Sequence, residues 1–311
     1  MKLTRFRTPS GTVRVGIVEE DGIHVLNDVT DCLDLMASGH GTLAEAAEVF
    51  GTSGTVLSPN EVEYLSPIAT PPTLRDFYAF EQHVRAGRAW RGLEMDPEWY
   101  RIPVFYFSNP YAATGCGDVP IAPGSEAFDF ELEVGAVLGG HGKDVSPSEA
   151  ESLIAGFCVL NDWSARDLQK REMQLSMGPV KGKDTATSLG PWLVTPDELA
   201  AYKQGHGYKL RMRCEVNGRT YSDALWSDVY WSFAEMISYA SRGTEVRPGD
   251  VFGSGTCGTG CINELSRTHG AEAYPFLKAG DTVTASIEGL GTLTNRIVAS
   301  PVPTPLREGT V

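Results

Sequence analysis

Apolar and polar positions alternate through the first quarter of the chain. Leu3, Phe6, Val13, Val15 and Ile17 lead into the turn Glu20-Asp21-Gly22, and Ile23-His24-Val25-Leu26 follows. A period of two on either side of a glycine-containing turn predicts a β-hairpin. Residues 30–36 and 42–50 have the spacing of short helices, and 56–65 returns to strand character. These elements predict a small N-terminal α/β domain over residues 1–70. Ser66-Pro67-Ile68-Ala69-Thr70-Pro71-Pro72 is held extended by its prolines and reads as the boundary.

Residues 71–303 read as the main domain and 304–311 as a tail. A basic helix is predicted within 74–92, a short strand at 104–107 and a strand over 128–137. Ser146-Pro147-Ser148-Glu149 is a helix start with a serine cap. The strand 156–160 runs into Asn161-Asp162, and a helix is predicted over 163–173, where Arg166, Gln169 and Met173 would share the face that begins at Asp162. Strands at 208–216 and 219–222 flank the hairpin turn Asn217-Gly218, and an amphipathic helix is predicted over 229–240. Pro248-Gly249-Asp250 turns into a strand at 251–252, followed by the glycine loop 253–260 and two further turn and strand pairs. Short strands and glycine-marked turns outnumber long helices, so the main domain is expected to be mostly β, in the α+β class.

The strand at 128–137 carries the chemistry. Its alternation places Glu131 and Glu133 on one face and Phe130, Leu132 and Val134 on the other. One reading is an edge strand with two solvated glutamates. The other is a buried pair of like charges offset by a cation, and with acids from neighbouring elements that makes a hard, oxygen-rich site suited to magnesium, manganese or calcium. Asp76 and Asp162, at other strand ends, complete such a set. Four carboxylates around one divalent ion leave a negative shell, a need met by Arg166, Gln169 and Lys183, which could also stabilise an enolate or alkoxide. Solvated ion pairs are the alternative for Arg166 and Lys183. His83 follows aromatic residues and precedes a basic run; oriented by a carboxylate such as Glu264, it could take a proton from water. An ordinary surface histidine is the alternative.

Composition narrows the partners. The 311 residues include 26 Lys and Arg against 40 Asp and Glu, a formal charge of −14, which disfavours nucleic acid and anionic membranes. A local cationic cluster could still hold an anionic substrate. The six cysteines show no CxxC framework or zinc-finger spacing, so a reducing, cytoplasmic setting is expected. Neither a leader-like apolar region nor a membrane-length run occurs in the sequence. Gly253-Ser254-Gly255 lacks the nucleophile-elbow pattern, and the glycine loop lacks the βαβ setting of a dinucleotide site.

Leu74-Arg75-Asp76-Phe77-Tyr78, Gln82-His83, Phe130-Glu131-Leu132-Glu133, Asn161-Asp162-Trp163-Ser164-Ala165-Arg166-Asp167-Leu168-Gln169, Gly182-Lys183 and Gly255-Thr256 resemble, in order, the fumarylacetoacetate hydrolase family and its fumarylacetoacetase-like C-terminal domain. The resemblance implies a mixed β-roll catalytic domain, a homodimer, and bound Mg2+ or Ca2+, with Mn2+ a further fit. It implies Asp76, Glu131, Glu133 and Asp162 as metal ligands, His83 as the base with Glu264 orienting it, and Arg166, Gln169 and Lys183 around the oxyanion. Tyr78, Arg91, Tyr106 and Thr256 correspond to groups that hold the substrate's carboxylate and keto oxygens. Met173 stands where fumarylacetoacetase has a substrate-binding tyrosine, and the N-terminal domain is much shorter. The implied activity is hydrolytic C–C cleavage of a small β-diketo or acylpyruvate-type acid, by His-activated water and a metal-stabilised enolate. A 2-oxo acid decarboxylase, hydratase or isomerase is the alternative.

Overall fold

The computed structural model describes residues 1–305 and Arg307. Most of the tail expected at 304–311 therefore lies outside the described residues. A twelve-stranded mixed sheet runs through the molecule. Its order is Thr52–Leu57, Gly22–Leu26, Val13–Glu19, Lys2–Arg7, Thr187–Val194, Ile154–Asp162, Leu132–Leu138, Val251–Gly253, Leu74–Phe77 and Phe105–Phe107, with Glu63–Tyr64 and Ala113–Thr114 pairing off this path. The N-terminal strands join through the antiparallel pairs Lys2↔Val194 and Leu3↔Leu193. Five further strands form a second sheet, ordered Arg219–Leu225, Arg211–Val216, Thr282–Ile287, Gly291–Val298 and Gly117–Pro120. Helices including Glu81–Ala89, Arg166–Met173, Phe233–Ala240 and Ile262–His269 complete a mixed α/β architecture.

Two cores explain why the central strand carries almost no solvent-exposed position. Leu132, Val134, Ala136 and Leu138 face Phe157, Val159 and the second sheet's Met212, Ile287 and Leu293. Val137 faces the other way, toward Cys158, Leu160, Leu189, Leu3 and Leu35. With both faces covered, Leu132–Leu138 is buried at every residue. The half-solvated edge strand is thereby excluded, and Glu133, fully buried, must be offset from within.

Several predicted boundaries move for identifiable reasons. The strand expected over 128–137 is two pieces: Phe128–Asp129 pairs with Ser164–Ala165, and the ladder resumes at Leu132. Because Ser164 and Ala165 are spent on that pairing, the following helix begins at Arg166, and Asp162 belongs to a strand. Asp162 therefore does not start the helical face of Arg166, Gln169 and Met173. The helix expected from residue 229 begins at Phe233, because Ser232 and Glu235 form a capping box. The strand expected over 56–65 ends at Leu57, where Ser58 caps a turn led by Pro59. The hairpin turn Asn217-Gly218 stands as expected, both residues at positive φ. All six cysteines are free, and no helix among the described residues is long and apolar enough to cross a membrane.

Candidate functional site

Strand order builds the acid cluster. Asp162 ends one strand, and Asn161 beside it pairs with Leu132, so Glu131 and Glu133 lie alongside. On the other side Gly135 pairs with Gly253, and Gly253 pairs in parallel with Asp76. A glycine is required between them: a Cβ on Gly253 would lie 2.4 Å from Asp76 Oδ1 and 2.9 Å from Glu133 Oε2. The result is that one oxygen from each of Asp76, Glu131, Glu133 and Asp162 lies within 4.8 Å of the others, all four side chains buried.

Cations already line this pocket. Lys183 Nζ donates to Glu131 Oε2 at 2.5 Å and to Asp162 Oδ2 at 2.6 Å, and Arg166 Nη2 donates to Glu131 Oε1 at 2.7 Å. Burial raises the Glu131 pKa, but Lys183 and Arg166 outweigh it and hold the carboxyl down at about 2. Asp76 goes the other way, pushed up to about 8 by burial and by Asp162. Glu133 is also raised well above the carboxylate range, by burial and then by Asp76. Two fixed cations thus leave an excess of negative charge among four buried carboxylates, the condition a divalent ion relieves. Glu133 Oε1 and Asp162 Oδ1 have no hydrogen-bond partner among the described residues despite full burial. An all-oxygen donor set with two such unpaired atoms fits a hard cation.

His83 stands beside this cluster on the helix Glu81–Ala89, facing the helix Ile262–His269. Its Nδ1 lies 2.6 Å from Glu264 Oε2. A carboxylate only accepts, so Nδ1 carries the proton and Nε2 keeps a lone pair. Glu264 is itself fixed by the Thr259 amide, which donates to Oε1 at 2.8 Å. Tyr78 packs edge-on against the imidazole at 5.6 Å.

The remaining predicted residues divide into two groups. Gln169 accepts from Arg166 Nη1 at 3.2 Å, leaving its amide NH2 to donate elsewhere. Arg91 is exposed at the end of its helix, with its charge felt at the Tyr78 hydroxyl. Tyr106, expected to hold substrate, donates its hydroxyl to Asp162 Oδ2. Thr256 is buried and donates to the Leu132 carbonyl at 3.1 Å, tying the glycine loop to the central strand. Met173, expected at a substrate-binding position, is 51% exposed on the last turn of its helix.

Asp129 was not singled out by sequence reasoning, and it organises the site from behind. Fully buried, it accepts from the Ile262 and Asn263 amides at 2.7 and 2.9 Å and from Arg166 Nε at 2.8 Å. It therefore anchors both the N-terminus of the helix that carries Glu264 and the guanidinium that holds Glu131. Its signal was the same alternation that marked Glu131 and Glu133. A cleft of about 1040 Å³ lined by Ile121, Leu168, Arg171, Leu175, Pro301 and Pro303 includes none of these acids.

Known proteins resemble this chain in sequence and in fold. The model of the fumarylacetoacetate (FAA) hydrolase C-terminal family matches residues 73–298. The fumarylacetoacetase of Arabidopsis thaliana is 29% identical over 291 residues, covering 73% of this chain and 69% of that protein. A mitochondrial oxaloacetate tautomerase of Bos taurus is 29% identical over 271 residues, covering 86% and 79%. The crystal structure of fumarylpyruvate hydrolase from Pseudomonas aeruginosa in complex with Mn2+ and pyruvate superposes with a TM-score of 0.60 at 22% identity, covering 74% of this chain and 91% of that one. A family match across most of the chain, over the segment that supplies every acid of the buried cluster, places this protein in the fumarylacetoacetate hydrolase family.

Proposed function

We propose that the protein is a divalent-metal-dependent hydrolase that cleaves a C–C bond of a β-diketo or acylpyruvate-type acid. The observation that carries this reading is the His83–Glu264 pair at 2.6 Å, with a ring nitrogen, a Cys261 sulfur and a Glu131 oxygen within 4.8 Å of one another at the edge of the acid cluster. Enolate chemistry alone needs the acids and Lys183; an oriented imidazole with a free lone pair is the part that hydrolysis adds.

Asp76, Glu131, Glu133 and Asp162 would hold Mg2+, Ca2+ or Mn2+. When bound, such an ion supplies Lewis acidity toward a keto oxygen and charge stabilisation for an enolate leaving group. The chain's own residues do the rest. His83 Nε2 takes a proton from water as the oxygen attacks the carbonyl, and Glu264 stabilises the imidazolium that results. The Gln169 amide and the Lys183 ammonium present N–H groups where negative charge develops. Arg91 supplies a guanidinium for the substrate's carboxylate, with Tyr78 beside it. The departing carbon, released as an enolate, takes back a proton from the imidazolium, which restores the base.

A second reading, tautomerisation or isomerisation of a 2-oxo acid, is favoured by the likeness to the oxaloacetate tautomerase over 86% of the chain. It shares the acids and Lys183 but consumes no water. Product mass separates the two: hydrolysis gives two acids whose masses sum to substrate plus water, whereas tautomerisation leaves the mass unchanged. The His83→Ala protein should keep its divalent ion and lose about 10²- to 10⁴-fold in kcat. Unchanged turnover in that variant removes His83 as the base.

A further inference from the structure

A second set of donors touches the proton-transfer pair. The backbone bridge Glu131↔Cys261 and the bond from the Leu132 amide to the Gly260 carbonyl at 2.9 Å bring the end of the glycine loop against the acid-bearing segment. Cys261 is fully buried there as the N-terminal cap residue of the helix that carries Glu264, and its thiol makes no capping bond. A nitrogen of His83, the Cys261 sulfur and a Glu131 oxygen lie within 4.8 Å of one another. The acid cluster offers oxygen alone, whereas this set mixes imidazole, thiol and carboxylate, the donors that zinc takes in tetrahedral sites with one open position.

We propose that His83 Nε2, Cys261 Sγ and a Glu131 oxygen form a site for a thiophilic divalent ion, zinc above all, whose occupation silences the base. Three features favour it over a chance cluster. Glu264 already holds His83 Nδ1–H, the carboxylate–histidine arrangement that orients zinc-binding imidazoles. Nε2 has no hydrogen-bond partner among the described residues, and the His83 side chain is 12% exposed, so an ion has a path to it. The backbone bridge Glu131↔Cys261 fixes the carboxylate and the thiol side by side. A closed tetrahedral set has donors about 3.5 Å apart, so binding draws these groups in by at most about an ångström. The thiol proton leaves to solvent as the Zn–S bond forms, and the Nε2 lone pair is taken up by the ion. The inhibitory part of the inference rests on His83 being the base; the binding part does not.

The test titrates Co2+, then Zn2+, into chelator-treated whole protein held in excess Mg2+. The expected result is a near-ultraviolet thiolate-to-cobalt absorption band that Zn2+ abolishes, absent in Cys261→Ser and retained in Cys257→Ser. Zn2+ should also block turnover of an acylpyruvate, with the half-inhibiting concentration about 100-fold higher in Cys261→Ser. Serine is close in size and a better cap residue, so that variant should fold. X-ray absorption at the zinc edge of the unmodified protein answers the same question without a variant, by one sulfur at about 2.3 Å. An all-oxygen and nitrogen zinc shell, or a cobalt band that survives Cys261→Ser, overturns the site. A sulfur-bound ion that leaves turnover unchanged overturns its inhibitory role. Failure of the zinc-free, Mg2+-loaded protein to hydrolyse any acylpyruvate overturns the proposed function instead, and leaves the spectroscopic result standing.

Discussion

Held free of divalent ions by a chelator, the protein should become less stable as pH rises through the neutral range. Asp76 is shifted from 3.8 to about 8 by burial and by the neighbouring Asp162, and Glu133 beside it is raised as well. A carboxyl with a raised folded-state pKa binds its proton more tightly in the native chain. Its contribution is complete below the unfolded pKa and is lost as pH climbs toward 8. With one extra proton on the folded state, stability falls by on the order of 1 kcal/mol per pH unit, or about 3 kcal/mol between pH 5 and 7. Glu131 does not cancel this. Its pKa is depressed to about 2, so its contribution is present above about 4.5 and lost only as pH falls toward 2. A bound cation needs the ionised acids, so it replaces the protons and its stabilisation grows with pH. Melting curves at pH 5, 6 and 7, in chelator and in millimolar Mg2+ or Ca2+, read both slopes. At about 2 to 4 °C per kcal/mol, the chelated protein should drop by roughly 5 °C or more over that range. Chelated melts that stay level or rise from pH 5 to 7, with no gain from the cation at pH 7, would refute the reasoning.

Other perturbations probe separate parts of the site. Lys183→Met leaves Glu131 Oε2 and Asp162 Oδ2 without their shared donor, and urea unfolding of the chelated protein should show a loss of about 3 to 5 kcal/mol. Gly253→Ala inserts a methyl group 2.4 Å from Asp76 Oδ1, and calorimetry should record a fall in divalent-ion affinity of about 10- to 100-fold. Asp129→Asn removes the charge that three N–H groups share, and it should cost about 1 to 3 kcal/mol in unfolding and slow turnover through Arg166. Equal stability and turnover in that variant would show Asp129 to be idle.

Much of the site was legible because strand geometry is local. A period of two was enough to put Glu131 and Glu133 on one face, and the acids at other strand ends needed only to be brought together. What the sequence could not display was the pairing that does so. Gly253 reads as one glycine among many until its place between Glu133 and Asp76 shows why a side chain is excluded. Cys261 has no zinc-finger spacing in the sequence; Glu131 reaches it through a tertiary bridge, and a His83 nitrogen lies within 4.8 Å of its sulfur. Nor does the sequence display the internal partners of the Tyr106 and Thr256 hydroxyls, which donate to Asp162 and to the Leu132 carbonyl. Ser164 and Ala165 fall within a helical pattern, and nothing local announces their two-residue strand pairing.

The most direct test of the account is calorimetric titration of chelator-treated protein with Mg2+, Mn2+ and Ca2+, paired with the same titration of Glu133→Gln. The buried acids predict one ion bound per chain, tightening as pH rises, and severely weakened by that single amide. A protein that takes up no divalent ion, or a variant that binds as well as the parent, would contradict it.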